Sequence, residues 1–407
     1  MHVLYIHQHF TTPSGSIGTR SYEFARRLLE AGHTVTMVCC ASGRSETTLD
    51  APFESGRRRG WVDGIDVVEF DIGYSTHDSI GARVRKFVRF GASATRIALT
   101  ARYDLVFATS TPLTAALPGI LARWLRSKPF VLEIRDLWPE LPKALGVTNP
   151  LLLVGMSVFE WLSYHSADRV VGLAPGIVRG IVRRGIAHER TALIPNGCDL
   201  AMFEGAQPRH ASELVPAGIS PTDFVCIYAG AHGIANGLHA LLPVAAELKR
   251  LGADHIKLLL IGSGATKPDL QAKAERLGLR NIIFTGNLPK LELMAFLKGA
   301  DAGLQLLKNV PAFYEGTSPN KFFDYLAAGI PVVVNYPGWV AQMVYERNCG
   351  TAVPPDDAQA LAAALVSAAA DRGEWRRKGV QSLTLATERF SRDALGRDFL
   401  TLLEDAA

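Results

Sequence analysis

Two successive series of short apolar runs, each run followed by a helical stretch, constrain this chain more than any other feature. The first series places strands at Val3–His7, Thr34–Cys40, Val67–Phe70, Leu105–Ala108, Phe130–Ile134, Arg169–Leu173 and Ala192–Ile194. After Asn196-Gly197 the pattern restarts at Phe224–Ala229, Lys257–Ile261, Ile282–Thr285, Ala302–Leu306 and Val332–Val334. Between them, Thr19–Ala31, Gly237–Leu251 and Asp269–Leu277 carry apolar residues at helical spacing. Continuous apolar strands separated by helices predict parallel sheets covered on both faces. Two such series predict two doubly wound α/β domains facing each other across a cleft. Ligands of such sheets bind beyond the carboxyl ends of the strands, so the strand-to-helix turns are where chemistry is expected.

Composition narrows the field. The chain has 407 residues, and a hydrophobic content of 48% with 20% charged residues excludes a disordered or fibrous chain. A formal net charge of +4 does not point to nucleic acid. The excess lies in residues 1–200, where 23 basic side chains face 18 acidic ones, against 20 and 21 in residues 201–407. Five cysteines, two of them adjacent and none in C-x-x-C spacing, argue against a zinc site or disulfide framework and for a reducing compartment. The start, Met1-His2-Val3-Leu4-Tyr5-Ile6, lacks the marks of a secretory signal. Two uncharged stretches, Leu105–Ala122 and Tyr325–Tyr345, reach membrane-spanning length, but their prolines and glycines predict strands and turns instead.

The most informative segment is Glu315-Gly-Thr-Ser-Pro-Asn-Lys-Phe-Phe-Asp324. Ser318 suits an N-cap and Pro319 the first helical position. Lys321 then lies in the first turn, with Asp324 three residues on and on the same side. Free backbone N–H groups beside a lysine suit an anion, and a carboxylate one turn further suits a ribose diol. The combination fits a nucleoside diphosphate; a plain capped helix with solvated Lys321 and Asp324 fits the same residues.

Other turns carry weaker signals. Pro13-Ser-Gly-Ser-Ile-Gly18-Thr-Arg20 has Gly15 and Gly18 before a helix, which suits an anion or a flexible loop, but it is no dinucleotide fingerprint. In Glu133-Ile-Arg135-Asp136-Leu-Trp138-Pro139-Glu140, Asp136 can orient an acceptor hydroxyl or take its proton, and Trp138 can stack on a sugar. A salt bridge between Arg135 and a glutamate beside a core tryptophan explains the same segment. Ile194-Pro-Asn-Gly-Cys-Asp199 reads as an interdomain turn with Asp199 as a cap. His7 and His9 are expected on one side of a strand; a metal pair lacks a third ligand, and hydrogen-bonded side chains at the cleft floor are favoured. Ser110 has no nucleophile elbow. Gly81–Arg102 carries Arg83, Arg85, Lys86, Arg89, Arg96 and Arg102 with no acid between Asp78 and Asp104. It reads as a basic amphipathic helix, suited to an anionic membrane surface or to packing on the sheet.

In order and spacing these segments resemble the retaining GT-B glycosyltransferases (glycosyl transferases group 1, glycosyltransferase family 4), especially bacterial enzymes of O-antigen and exopolysaccharide synthesis. The resemblance runs through Gly15–Arg20, Gly32-His-Thr-Val35, Arg135-Asp-Leu-Trp-Pro139, Ile194–Asp199, Tyr228-Ala-Gly230, Ile261-Gly-Ser-Gly264, Ile283-Phe-Thr-Gly286, Ala300-Asp301 and Pro319–Val332. It implies two Rossmann-like domains, an N-terminal acceptor domain at 1–200 and a C-terminal nucleotide-sugar domain at 201–389, with 390–407 a helix returning to the first. It implies that Asp324 holds the ribose, that Lys321 with Ser318, Pro319 and Asn320 takes the diphosphate, and that Gly230, Gly262 and Gly264 line the donor. Gly15, Gly18 and Arg20 would close over phosphate or acceptor. Glu315 would reach the donor sugar, Asp136 would act on the acceptor, and Arg135, Trp138 and His9 would bind it. The implied chemistry is retaining, with no metal and no cofactor, on a UDP-sugar in preference to a GDP-sugar. The implied acceptor is a saccharide or lipid-diphosphate-linked saccharide at the cytoplasmic face of the membrane. Four positions depart from the family pattern. Glu315 sits one residue further from the second acid than usual, that acid is Asp324 rather than Glu, and Ala231 and Asn236 stand where many relatives carry Arg and Lys. An epimerase of the same architecture and a non-catalytic nucleotide-sugar-binding subunit are the competing readings.

Overall fold

The computed structural model describes residues 1–15, 18–41, 46–73, 78, 80–110, 112–144 and 146–407. The chain forms two units. Unit 1 comprises Met1–Pro195, Gly316–Ser318 and Asp393–Ala407; unit 2 comprises Asn196–Glu315 and Pro319–Arg392.

Among the described residues, unit 1 is built on eight strands: β1 (His2–Ile6), β2 (Thr34–Cys40), β3 (Arg57–Val62), β4 (Ile65–Phe70), β5 (Leu105–Thr109), β6 (Phe130–Ile134), β7 (Arg169–Gly172) and β8 (Thr191–Leu193). They lie in the order β3-β4-β2-β1-β5-β6-β7-β8. All neighbours are parallel except β3 and β4. The sequence reading missed β3, an exposed, arginine-rich edge strand without an apolar run. Its signal was the turn: Asp63-Gly64 joins Val62 to its register partner Ile65 with both central residues at positive φ, +47° and +84°. That geometry makes a two-residue hairpin and favours this dipeptide.

One face of the unit 1 sheet is closed by the helix Arg20–Glu30 and by the chain's last helix, Arg392–Glu404. Leu395, Phe399 and Leu403 recur every four residues and are buried. Phe399 stacks on Phe24 at 4.4 Å between ring centroids and meets Phe107 edge-on at 4.8 Å. Burying each such side chain stabilises by roughly 1.5–3 kcal/mol, which fastens the C-terminal segment from Asp393 onward into unit 1.

Unit 2 carries β9 (Phe224–Ala229), β10 (Ile256–Ile261), β11 (Ile282–Thr285), β12 (Ala302–Gln305), β13 (Val332–Val334) and β14 (Gly350–Ala352). Their order is β11-β10-β9-β12-β13-β14, all parallel. The sequence reading missed β14, because Gly350-Thr351-Ala352 forms no apolar run. Both uncharged stretches of membrane-spanning length resolve into strands and short helices, as the breakers predict: β5 leads to the helix Leu117–Arg126, and β13 to the helix Trp339–Glu346. Among the described residues, no helix is long and apolar enough to cross a membrane.

In each sheet the first strand is flanked on its two sides by later strands running parallel to it. The chain therefore leaves β1 and β9 at the points where strand order reverses, where doubly wound sheets open a crevice for ligand.

Candidate functional site

In unit 2 the crevice side of β9 carries Gly230, Ala231 and His232. Lys321 and Asp324 come from the helix Asn320–Ala327. This helix starts one residue later than the sequence suggested. Pro319, extended at φ −79° and ψ 121°, occupies the N-cap position that Ser318 was expected to fill, and no side chain caps the turn. A residue before proline is pushed away from helical geometry, which keeps Ser318 outside. The first N–H groups of a helix have no intrahelical partner, so this turn presents donors.

Lys321 Nζ donates to Asn236 Oδ1 at 2.8 Å and lies 4.8 Å from the centre of the Tyr228 ring. Asn236 Nδ2 in turn donates to the Ala231 carbonyl at 2.9 Å, which also accepts from the Tyr228 hydroxyl at 2.8 Å. Asn236, read from sequence as a missing cation, is thus the group that anchors the remaining one. Burial pushes the Lys321 ammonium down to about 8, although Asp324 favours its charge. Burial also raises the Asp324 carboxyl, against the pull of Lys290, Arg392 and Lys321. Both groups are held in the less favourable environment for their charged forms, which an incoming anion and a diol would change.

Gly262 closes this site from β10. At φ +141° a Cβ there would lie 2.0 Å from the Gly230 carbonyl oxygen, so only glycine permits this approach of two backbones. Gly264 follows against the backbone of His232. His232 itself went unnoticed in the sequence. It is fully buried, edge-on to Tyr228 and Phe284, and neither ring nitrogen has a hydrogen-bond partner among the described residues. Glu315, exposed, belongs to the helix Pro311–Gly316. Asp199 accepts from Met202 N at 3.3 Å and caps the helix Leu200–Glu204.

In unit 1 the polar residues converge on Glu133, at the end of β6 and buried completely. Arg20 Nε and Nη2 donate to Oε2 at 3.0 and 2.8 Å; Thr109 Oγ1 donates to Oε1 at 2.7 Å, with Arg135 Nε 3.3 Å away. Burial alone would raise the Glu133 carboxyl, but Arg20 and Arg135 hold it below its ordinary value. Arg20 was expected to close over phosphate or acceptor. Its guanidinium instead spends its donors internally, on Glu133 and on the Pro195 and Ile194 carbonyls at 2.6 and 2.8 Å. These bonds tie β6 to the Ile194-Pro195 segment.

Arg135 is partly exposed and bonded to Thr109 Oγ1 at 2.8 Å, while Ser110 Oγ accepts from its backbone N–H at 3.0 Å. Burial raises the neighbouring Asp136 carboxyl, with Arg135 opposing. Trp138 is half-buried, its backbone held by Glu160 at 3.3 Å and Arg184 at 3.1 Å. Sequence reasoning missed both of these supports, which lie on other elements. Gly15 N–H bonds to the Thr12 carbonyl at 3.0 Å, and Gly18 is exposed before the helix that bears Arg20. Ser16 and Ile17 of this loop lie outside the described residues.

His7 and His9 do not share a strand face. β1 ends at Ile6, and both histidines sit in the turn beyond it. Burial, reinforced by Arg135, drives His7 well below its usual value and His9 to about 4. Burial and the lysines Lys267 and Lys321 take His232 to about 4 as well. A histidine neutral in the fold and protonated when unfolded contributes stability above about pH 6.5 that is lost as pH falls towards its folded value. Between pH 7 and pH 5, His9 and His232 should each withdraw about 2 kcal/mol. Thermal unfolding followed at both pH values checks this, with His232→Asn expected to flatten the slope; a midpoint independent of pH would show that these rings are not buried neutral.

All five cysteines are buried and none is in a disulfide. Among the described residues, no group of three or more His, Cys, Asp or Glu side chains is placed to hold a metal.

Known proteins share the sequence pattern and the fold of this chain. The family model for a glycosyl transferase 4-like domain matches residues 15–197, and that for glycosyl transferases group 1 matches residues 223–371. Over 213 residues the chain is 25% identical to WcaI of Escherichia coli strain K12, a glycosyl transferase named for colanic acid biosynthesis; the match spans about half of each protein, 51% of both. Over 384 residues it is 30% identical to glycogen synthase of Mycobacterium tuberculosis strain H37Rv, covering 89% of this chain and 84% of that one. The crystal structure of HepE from Anabaena in complex with UDP and glucose superposes with a TM-score of 0.71 over 100% of both chains at 18% identity, which makes the fold the same. With both domain models matched in order and the glycogen synthase match running through both units, this chain belongs to the glycosyl transferases group 1, proteins of the GT-B fold.

Proposed function

We propose that this protein is a retaining glycosyltransferase that moves a sugar from a UDP-sugar to a saccharide in cell-surface polysaccharide synthesis, the acceptor being linked to a lipid diphosphate at the cytoplasmic face of the membrane. The observation that carries the reading is the Lys321–Asn236 pair at the open first turn of the helix Asn320–Ala327, with Asp324 three residues further on. The helix start and ammonium suit a diphosphate, and the carboxylate suits the ribose diol. Asp136, Arg135, Trp138 and His9 would serve the acceptor in unit 1.

In this reading the anomeric C–O bond to the diphosphate breaks, the acceptor oxygen bonds to the same face of that carbon, and the acceptor proton passes to the departing phosphate oxygen. The charge that develops on the diphosphate is met by Lys321 and the helix N–H groups, so the step needs no metal. HepE, a relative in fold, was solved with UDP and glucose, and WcaI is named for polysaccharide synthesis; both are consistent with this substrate class.

A thermal-shift series with UDP, GDP, UMP, GMP and NAD tests the donor. UDP at 100-fold its dissociation constant should stabilise by about 2.7 kcal/mol. Asp324→Ala should weaken UDP binding by about 10- to 100-fold, since a hydrogen bond to a charged group is worth roughly 1.5–3 kcal/mol. A shift with GDP alone would change the donor class, an undiminished UDP shift in the variant would move the ribose site elsewhere, and no shift with any nucleotide would end the reading.

A further inference from the structure

The helix Pro150–Ser166 in unit 1 has no polar outer face. Leu151, Val154, Val158 and Trp161 are 83%, 61%, 61% and 54% exposed, and their spacing of three, four and three residues puts them on one side of the helix. The one carboxylate in the helix, Glu160, is turned inward and buried on Tyr164 and Arg184. Ser157 folds its hydroxyl back onto the Leu153 carbonyl at 3.1 Å. From Leu151 to Trp161 the apolar row runs about 15 Å. A helix on a protein surface normally keeps a charged outer face, and contiguous exposed apolar patches of this kind mark a surface that something covers.

The neighbouring elements indicate what covers it. The helix Leu117–Arg126 packs beside this one and displays Trp124 and Leu125, 59% and 67% exposed. The long helix Ile80–Thr100 packs in turn against Leu117–Arg126, with Val84 and Val88 exposed next to exposed Arg85 and Arg89. Between Asp78 and Glu133 the sequence holds one acid, Asp104. The layer of three helices therefore combines exposed apolar side chains, two of them tryptophans, with a strong excess of arginine. A second copy meeting this face would bring arginine against arginine. An anionic bilayer accepts both components, apolar side chains at the acyl–headgroup boundary and cations at the headgroups.

We propose that the helix Pro150–Ser166 lies in the surface of an anionic membrane with Leu151, Val154, Val158 and Trp161 inserted, and that the arginines of the helix Ile80–Thr100 bind the headgroups beside it. This deepens the reading of a membrane-facing enzyme by naming the inserted element, and it reassigns the leading role from the basic helix to the apolar helix Pro150–Ser166. It does not depend on the donor site.

The test is co-sedimentation of the full chain with vesicles of phosphatidylcholine and phosphatidylglycerol at 7:3, and with phosphatidylcholine alone. Binding to the anionic vesicles is expected, weakening in high salt. Val154→Ser/Val158→Ser/Trp161→Ser should lower the partition coefficient about tenfold or more. Arg85→Gln/Arg89→Gln should lower it about 30-fold at low salt. The altered positions are exposed, so the UDP-induced thermal shift, measured on the same samples, should be retained; it separates failure of this proposal from failure of the donor assignment. Should the serine variant not fold, Val158→Glu alone provides the same readout. No binding by the parent protein, or unchanged partition in the serine variant, would overturn the proposal. So would light scattering that shows a dimer which the serine variant dissolves, since the face would then belong to a second copy.

Discussion

Lys321→Ala is expected to slow the release of UDP from a UDP-sugar by about 10²–10³-fold, the usual loss when one preorganised donor to a developing negative charge is removed. UDP binding should weaken less, because charge on the diphosphate grows as the glycosidic bond breaks and the ammonium meets the transition state more strongly than the ground state. A second signature is pH. Burial has lowered the free Lys321 ammonium to about 8, so the charge that would attract UDP is lost as pH rises through that value. UDP affinity should decline above about pH 8 in the parent protein and stay flat in the variant, measured by calorimetry from pH 7 to 9. Turnover unchanged in Lys321→Ala would show that the unit 2 site is misplaced.

Arg20→Ala should destabilise the protein by roughly 3–5 kcal/mol, the typical cost of leaving a buried charge without its partner. Glu133 is wholly buried, and Arg20 supplies its two shortest guanidinium bonds. Arg135 keeps some compensation, which favours the lower end. Roughly 2–4 °C per kcal/mol for a unit of this size translates into a fall of about 10 °C in the unfolding midpoint. Arg20→Met combined with Glu133→Leu should recover most of that loss, because apolar replacement of a buried pair is often neutral. The UDP-induced shift should persist in both variants. If Arg20→Ala instead leaves the midpoint in place and weakens ligand binding, the side chain is a ligand after all.

These two residues differ in how much of their surroundings is local in the sequence. The placing of Lys321 and Asp324 on one helix was legible because a helix start, a lysine and an acid three residues on are local features of one segment. Arg20 has an equally suggestive neighbourhood of glycines, but its partner is Glu133, 113 positions away, and nothing near Arg20 announces it. Asn236 was read as the loss of a cation, since its bond to Lys321 spans 85 positions. His232 was overlooked because a single histidine in a turn carries no pattern; only its enclosure by Tyr228, Phe284 and Gly262 makes it noteworthy.

The same division holds for the architecture. The strands from β5 to β7 and from β9 to β13 follow from apolar runs of the right length bounded by turns. β3 follows only from its Asp63-Gly64 hairpin, as its solvent-facing edge needs no apolar run. The helix Pro150–Ser166 is apolar enough to pass for core, and its exposure appears only once the sheet has taken Glu160 and Tyr164 inward. By itself the sequence determined the alternation of strand and helix, the restart after Asn196-Gly197, and the segment that presents Lys321 and Asp324. Tertiary structure alone decided which polar groups pair, which histidines are neutral and which apolar face is left bare. Helices, strands and turns are set by neighbours along the chain, whereas burial and charge pairing depend on which distant strand ends packing brings together.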